Sequence, residues 1–156
     1  TEMLSYARPK ELRLDSVDLF ALALEVVESA AADPSAVGVQ LRCEGAAVLC
    51  RGDRAQLTGV VLNLVINAMQ ALAGRGSVCI AVSSAGSWCE LAVVDDGPGV
   101  PEPLRGRIFE AFYTTRGGGT GLGLAIARGV AERHGGTLEL QSPAEGGAVF
   151  RMRLPA

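Results

Sequence analysis

Two asparagines, an acidic glycine turn and a run of glycines are the residues here whose types and spacing could do chemistry. Asn63 and Asn67, in Asn63-Leu64-Val65-Ile66-Asn67-Ala68, stand four apart, so on a helix they point the same way. Gln56 and Gln70 extend that polar stripe. Carboxamide oxygens are hard, neutral ligands that suit Mg²⁺, an ion that keeps several waters and takes further oxygens from phosphates. Taken alone, the stripe reads first as a solvated polar face. Asp95-Asp96-Gly97-Pro98-Gly99 follows an apolar run. A carboxylate at a strand end can accept a hydrogen bond from an exocyclic amine such as adenine N6, and glycines let backbone approach a flat ring. By itself the segment is as much a simple Asp-Gly turn.

Gly117-Gly118-Gly119-Thr120-Gly121-Leu122-Gly123-Leu124 opens a helical pattern. Glycine-rich backbone at a helix start offers unpaired N–H groups and the positive end of the dipole, which favours phosphate. No Lys-Ser or Lys-Thr follows, so it is not a P-loop, and no glycine triple has the dinucleotide spacing. Upstream, Arg107-Ile108-Phe109-Glu110-Ala111-Phe112-Tyr113-Thr114-Thr115-Arg116 sets aromatics in a polar stretch. These could pin a movable lid or form a satellite cluster under a loop, and Arg116 could reach a terminal phosphate.

The elements that must position these groups follow from periodicity. Asp53 to Leu72 is the best helix, with an Asp53-x-x-Gln56 approximation to a capping box and Leu57, Val60, Val61, Leu64, Val65, Ala68 and Leu72 on one apolar face. A helix is expected over Val17–Ala32, capped by Asp15 or Ser16 and closed at Asp33-Pro34. Strands are expected at 37–43 and 46–50, joined by a turn at Glu44-Gly45, and at 77–84 and 89–94 around Ala85-Gly86-Ser87. The long segment Asp95–Gly121 reads as a functional loop, Leu122–Arg133 as helix, and 137–141 and 148–154 as closing strands. The sum is an α+β sandwich with helices on one face of a mixed sheet.

The totals agree with one soluble globular domain: 156 residues, 49% hydrophobic and 20% charged. A formal net charge of -3 gives no basic field for nucleic acid, and no membrane span is expected. Cys43, Cys50, Cys79 and Cys89 never fall at C-x-x-C spacing beside the single histidine, His134, so reduced, partly buried thiols are expected. His134, before Gly135-Gly136 at a helix end, is expected to serve structure by binding free carbonyls.

The four features, in this order, resemble the N, G1, F and G2 boxes of histidine kinases in the GHKL ATPase superfamily, over residues 17–155. The resemblance implies a Bergerat α/β sandwich, with helices on one face of a mixed, mostly antiparallel sheet and ATP between the N-box helix and a long lid. It implies that Asn67 holds Mg²⁺ with Asn63 one turn earlier, and that Asp95 reads adenine beside Gly97, Gly99 and Val100. Gly119, Gly121 and Gly123, with Thr120, Leu122 and Leu124 between them, match the phosphate side. Thr115 and Arg116 match lid residues near the γ-phosphate, so Asn63 and Arg116 are the candidates for catalysis. Gln70 replaces a frequent basic residue and Ala71 a frequent larger one, both beside the nucleotide.

The same resemblance implies a protein histidine kinase of a two-component system. Residues 1–15 then correspond to the remnant of a dimerisation helix and linker, and 16–156 to the catalytic domain. The implied partners are its own histidine-phosphotransfer and dimerisation domain and a response regulator receiver domain, with no nucleic acid and no membrane contact by this domain. A cytoplasmic, monomeric isolated domain is expected, whether or not a longer parent is membrane-anchored. Clamp ATPases of the gyrase and mismatch-repair type carry a water-activating glutamate where Asn63 stands, so weak hydrolysis is expected. A serine kinase of the same superfamily or a nucleotide-gated interaction module are the alternatives.

Overall fold

The structure is a computed structural model that describes residues 11–110, 123–143 and 146–156. Its elements are β1 (Asp15–Asp18), α1 (Leu19–Ala30), β2 (Val39–Gly45), β3 (Leu49–Gly52), α2 (Arg54–Leu72), β4 (Gly76–Ala85) and β5 (Trp88–Asp95). Then come α3 (Glu102–Arg105), α4 (Gly123–Arg133), β6 (Thr137–Gln141) and β7 (Ala148–Pro155). The main sheet runs β2-β4-β5-β7-β6, parallel at β2–β4 and antiparallel elsewhere, while β1 and β3 form a separate antiparallel pair. Helices α1, α2 and α4 cover one face and share one core with it. This is the expected α+β sandwich.

Helix α1 starts later than its pattern suggests. Asp18 is its cap, accepting from the N–H of Phe20 at 2.9 Å and of Ala21 at 3.2 Å. Val17 and Asp18 therefore stay extended in β1, with Val17 buried in the core. The expected hairpin of the second and third strands does not form either: β2 pairs with β4 and β3 with β1. Gly45 serves close approach rather than a tight turn, since a Cβ there would lie 2.1 Å from the Val82 carbonyl oxygen.

Helix α2 is the spine of the site. Leu57, Val61, Leu64, Val65 and Met69 are fully buried, and each contributes about 1.5–3 kcal/mol on leaving water. The helix is long and apolar enough by composition to cross a membrane, but this apolar face packs in the core against α1, α4 and the sheet. It ends where Ala73 and Gly74 adopt left-handed backbone, at φ 53° and 87°.

Its N-terminus is held by the far end of α4. Asp53 Oδ1 accepts from the Gln56 N–H at 3.1 Å, the first half of a capping box. The reciprocal half is missing because the Asp53 N–H donates to His134 Nε2 at 2.9 Å, while the Gln56 amide donates to Asp53 Oδ2. His134 Nδ1 lies 2.8 Å from the Val130 carbonyl oxygen. A peptide N–H only donates and a carbonyl only accepts, so the ring is neutral with its proton on Nδ1. Arg133 adds a hydrogen bond to Gln56 Oε1 at 2.8 Å, and the Arg13 N–H reaches Asp53 Oδ2 at 3.0 Å. The Arg13 contact, first, and those of Gln56 and Ala55 hold the Asp53 carboxyl below its usual range.

Candidate functional site

Of the expected site residues, Asn63, Asn67, Gln70 and Ala71 lie on α2, and Asp95 closes β5. Gly97, Gly99 and Val100 follow Asp95, and Gly123 and Leu124 open α4. Thr115, Arg116, Gly119, Thr120, Gly121 and Leu122 lie outside the described residues. Two separate contacts tie these groups to α2. A Cβ at Gly123 would lie 2.8 Å from both amide atoms of Asn63, so only glycine lets α4 start against that side chain. At the other end of α2, Leu72 packs under Gly76 and Gly97, which would place a Cβ 2.9 and 3.1 Å from its Cδ2.

Two polar groups are held out of water with capacity to spare. Asp95 is 8% exposed, and among the described residues its donors are peptide groups: the Gly97 N–H at 2.9 Å and that of Ala148. Burial pushes its carboxyl up, the two N–H groups pull it partly back, and Asp96 next to it raises it again. Among the described residues no cation pairs with it. Asn63 Nδ2 is the second group: it is buried against Gly123 with no hydrogen-bond partner among the described residues. Asp96 is different, since the Ser77 N–H at 2.9 Å and hydroxyl at 3.1 Å occupy it and lower its carboxyl, which makes it a fastener between β4 and the turn.

Several residues at the site escape sequence reasoning. Gly146 and Gly147, read only as part of a turn, take φ 102° and 84°, and the Gly147 N–H donates to the Gly97 carbonyl at 2.7 Å. Phe109 packs edge-on to Phe150 at 6.2 Å and lies under the Arg128 guanidinium at 4.7 Å, which anchors the segment after α3 between β7 and α4. The only sequence signal for this was an aromatic in a polar stretch. The cysteines are spectators: all four are free, and burial with Cys89 nearby pushes the Cys50 thiol up to about 11.

Fold and site together define an ATP-binding domain. Residues 52–156 match the family described as histidine kinase-, DNA gyrase B- and HSP90-like ATPase, and the chain belongs to that family. It is 34% identical over 157 residues to the sensor histidine kinase ZraS of Escherichia coli strain K12, spanning 99% of this chain and 34% of ZraS. Full-length ShkA in complex with AMPPNP superposes with a TM-score of 0.86 at 32% identity, over 99% of this chain and 34% of that one. Histidine kinase ThkA in complex with the response regulator TrrA superposes with a TM-score of 0.84 at 28% identity, over 99% and 45%. The chain is thus homologous to the ATP-binding catalytic domains of sensor histidine kinases, and it spans about a third of the length of the curated relative ZraS.

Proposed function

We propose that this chain binds ATP with Mg²⁺ and presents the γ-phosphate to a histidine on a separate dimerisation domain, for onward transfer to a response regulator receiver domain. The observation that carries the reading is Asp95, a carboxylate 8% exposed without a described cation beside it. A buried acid in that state has acceptor capacity that an adenine N6 amine can use, and its desolvation cost is partly offset when it does. Gly97 lets the backbone approach this carboxylate closely, since a Cβ there would lie 3.1 Å from Asp95 Oδ1.

The phosphate end lies along α2 toward Asn63. The unpaired Asn63 Nδ2 is a donor for a phosphate oxygen, and Gly123 at the start of α4 adds peptide N–H groups and the helix dipole. Mg²⁺, when bound, supplies positive charge that offsets the charge of the phosphate oxygens. The chemistry of the donor set supports such an ion: a carboxamide oxygen is a hard neutral ligand of the kind Mg²⁺ takes beside water and phosphate oxygens. Asn67, four residues after Asn63, would hold it. Gln70 and Ala71, both exposed at the end of α2, border the same nucleotide, and Thr115 and Arg116 contribute from the lid. The superposition on a kinase complexed with AMPPNP, and on another complexed with a response regulator, supports both nucleotide and partner.

The acceptor is a histidine elsewhere, because the single histidine of this chain has both ring nitrogens engaged. Titration calorimetry with ATP and GTP tests the proposal: ATP binds, and GTP, whose O6 would face the Asp95 carboxylate acceptor to acceptor, binds far more weakly. Equal affinities would sink it.

A further inference from the structure

The turn that carries the proposed base pocket is held at its start by its own carboxylates, Asp95 on the Gly97 N–H and Asp96 on Ser77, but Gly99 and Val100 are tied from outside it. Gly99 costs backbone entropy to order, so something outside the turn must fix its shape. One hydroxyl does much of this. Ser142, just after β6, accepts from the Val100 N–H at 3.2 Å and donates to the Gly147 carbonyl oxygen at 3.1 Å, using both sides of its oxygen to tie two turns together. Arg105, the last residue of α3, closes on Val100 as well, through its carbonyl. Its Nε donates to the Val100 carbonyl at 3.0 Å and its Nη2 to the Ser142 carbonyl at 3.4 Å. Gly147 completes the link by donating to the Gly97 carbonyl at 2.7 Å. The contact is close enough that a Cβ on Gly99 would lie 2.5 Å from Ser142 Oγ, and one on Gly147 2.5 Å from the Asp95 carbonyl oxygen.

The structure assigns Ser142 and Arg105 as positioning residues for the base pocket: they clasp Val100 by its N–H and its carbonyl and hold the Asp95–Gly99 turn against the turn before β7. This rests on the reading of Asp95 as the base-binding carboxylate. The clasp acts through Asp95, Gly97 and Gly99, and its effect should therefore follow the base, not the metal.

The test is calorimetric titration of the chain with ADP, with and without Mg²⁺, and with GDP, for wild type, Ser142→Ala, Arg105→Gln, the double variant and Asp95→Ala, each with its melting temperature. Loss of one clasp hydrogen bond should weaken ADP about three- to tenfold in each single variant. The factor should be the same with and without Mg²⁺, and the preference for ADP over GDP should fall with it. The double variant should lose less than the product of the two factors, because both residues hold Val100 and Arg105 also bonds the Ser142 carbonyl. Single variants that bind ADP like wild type while Asp95→Ala does not would overturn the clasp and leave the base pocket standing. A loss confined to Mg²⁺-bound ADP, with no change in base preference, would overturn it as well. An Asp95→Ala variant as tight as wild type would overturn the base-pocket reading itself, and the clasp with it.

Discussion

His134 offers the sharpest separation between a structural and a chemical histidine. Its Nε2 accepts the Asp53 N–H at 2.9 Å, and its ring fills the space beside Gly52, where a Cβ would meet it at 3.2–3.3 Å. His134→Ala removes the acceptor of a peptide N–H that the α2 cap does not serve, since the Asp53 carboxylate is already committed to Gln56 and Arg13. An unpaired, part-buried donor costs about 1–3 kcal/mol, and the half-buried setting of the ring argues for about 2 kcal/mol. For a domain of this size each kcal/mol lowers the melting temperature by about 2–4 °C, so a drop of roughly 4–8 °C is expected. His134→Gln is the control: its Oε1 reaches as far from the backbone as Nε2 and can accept the same N–H, so about half the loss should return. Thermal melts followed by circular dichroism read both. The same two proteins, incubated with γ-labelled ATP, should carry no acid-labile phosphate, and neither should wild type. An Ala variant within 1 °C of wild type, or stoichiometric label on His134, would refute the assignment.

Three further outcomes follow from the same geometry. Asn67→Ala should remove most of the Mg²⁺-dependent increment in ATP affinity while metal-free binding changes little; equal losses in titrations with and without Mg²⁺ would make Asn67 a packing residue. ATP affinity should fall as pH drops through the raised Asp95 titration, because a proton then competes with the N6 amine, whereas the stability of the empty domain should rise over the same window: a carboxyl whose folded-state pKa is raised destabilises the fold when ionised. Affinity and melting temperature measured across mildly acidic pH should slope in opposite directions, and parallel slopes would contradict the reading. Gly147→Ala should cost both stability and ADP affinity, because its φ of 84° and a Cβ 2.5 Å from the Asp95 carbonyl oxygen leave no room for a methyl group; an unchanged melt would show that the turn before β7 does not carry the pocket.

The parts of this fold legible in the sequence are those set by local rules. Helix α2 announces itself through an unbroken 3/4 apolar spacing with Asp53 at its cap and Gly74 past its end, and the β4–β5 hairpin through its two-residue Gly86-Ser87 turn. What stayed hidden was decided at long range. Nothing local distinguishes a hairpin at Glu44-Gly45 from a strand that ends there and pairs in parallel with β4, since the close contact that demands Gly45 is with Val82, far along the chain. The start of α1 was misplaced for a related reason: Asp15, Ser16 and Asp18 can each cap a helix, and pairing of β1 with β3 decides among them. In the site, Asp95, Asn63 and Gly123 were legible because their motifs are contiguous. Ser142 and Arg105 were not, because each acts on a peptide group and leaves no pattern of residue types.

The His134 contact also bears on the site, through the lengths of the two helices it joins. From Asp53 to Asn63 is ten residues along α2, and from Gly123 to His134 is eleven along α4. At about 1.5 Å per residue these spans are roughly 15 and 16 Å, nearly equal. The two segments run antiparallel with contacts at both ends, His134 on Asp53 and Gly123 on Asn63, so fixing one end sets the register of the other. A slip of a single residue moves one helix past the other by about 1.5 Å and takes Gly123 away from the Asn63 amide, against which a Cβ would lie only 2.8 Å away. The Asn63 amide, which we propose faces the phosphate end, is thus aimed by a hydrogen bond at the opposite end of the helix pair. His134→Ala should therefore weaken ATP binding as well as stability, at temperatures where the variant remains folded, and His134→Gln should recover the two together.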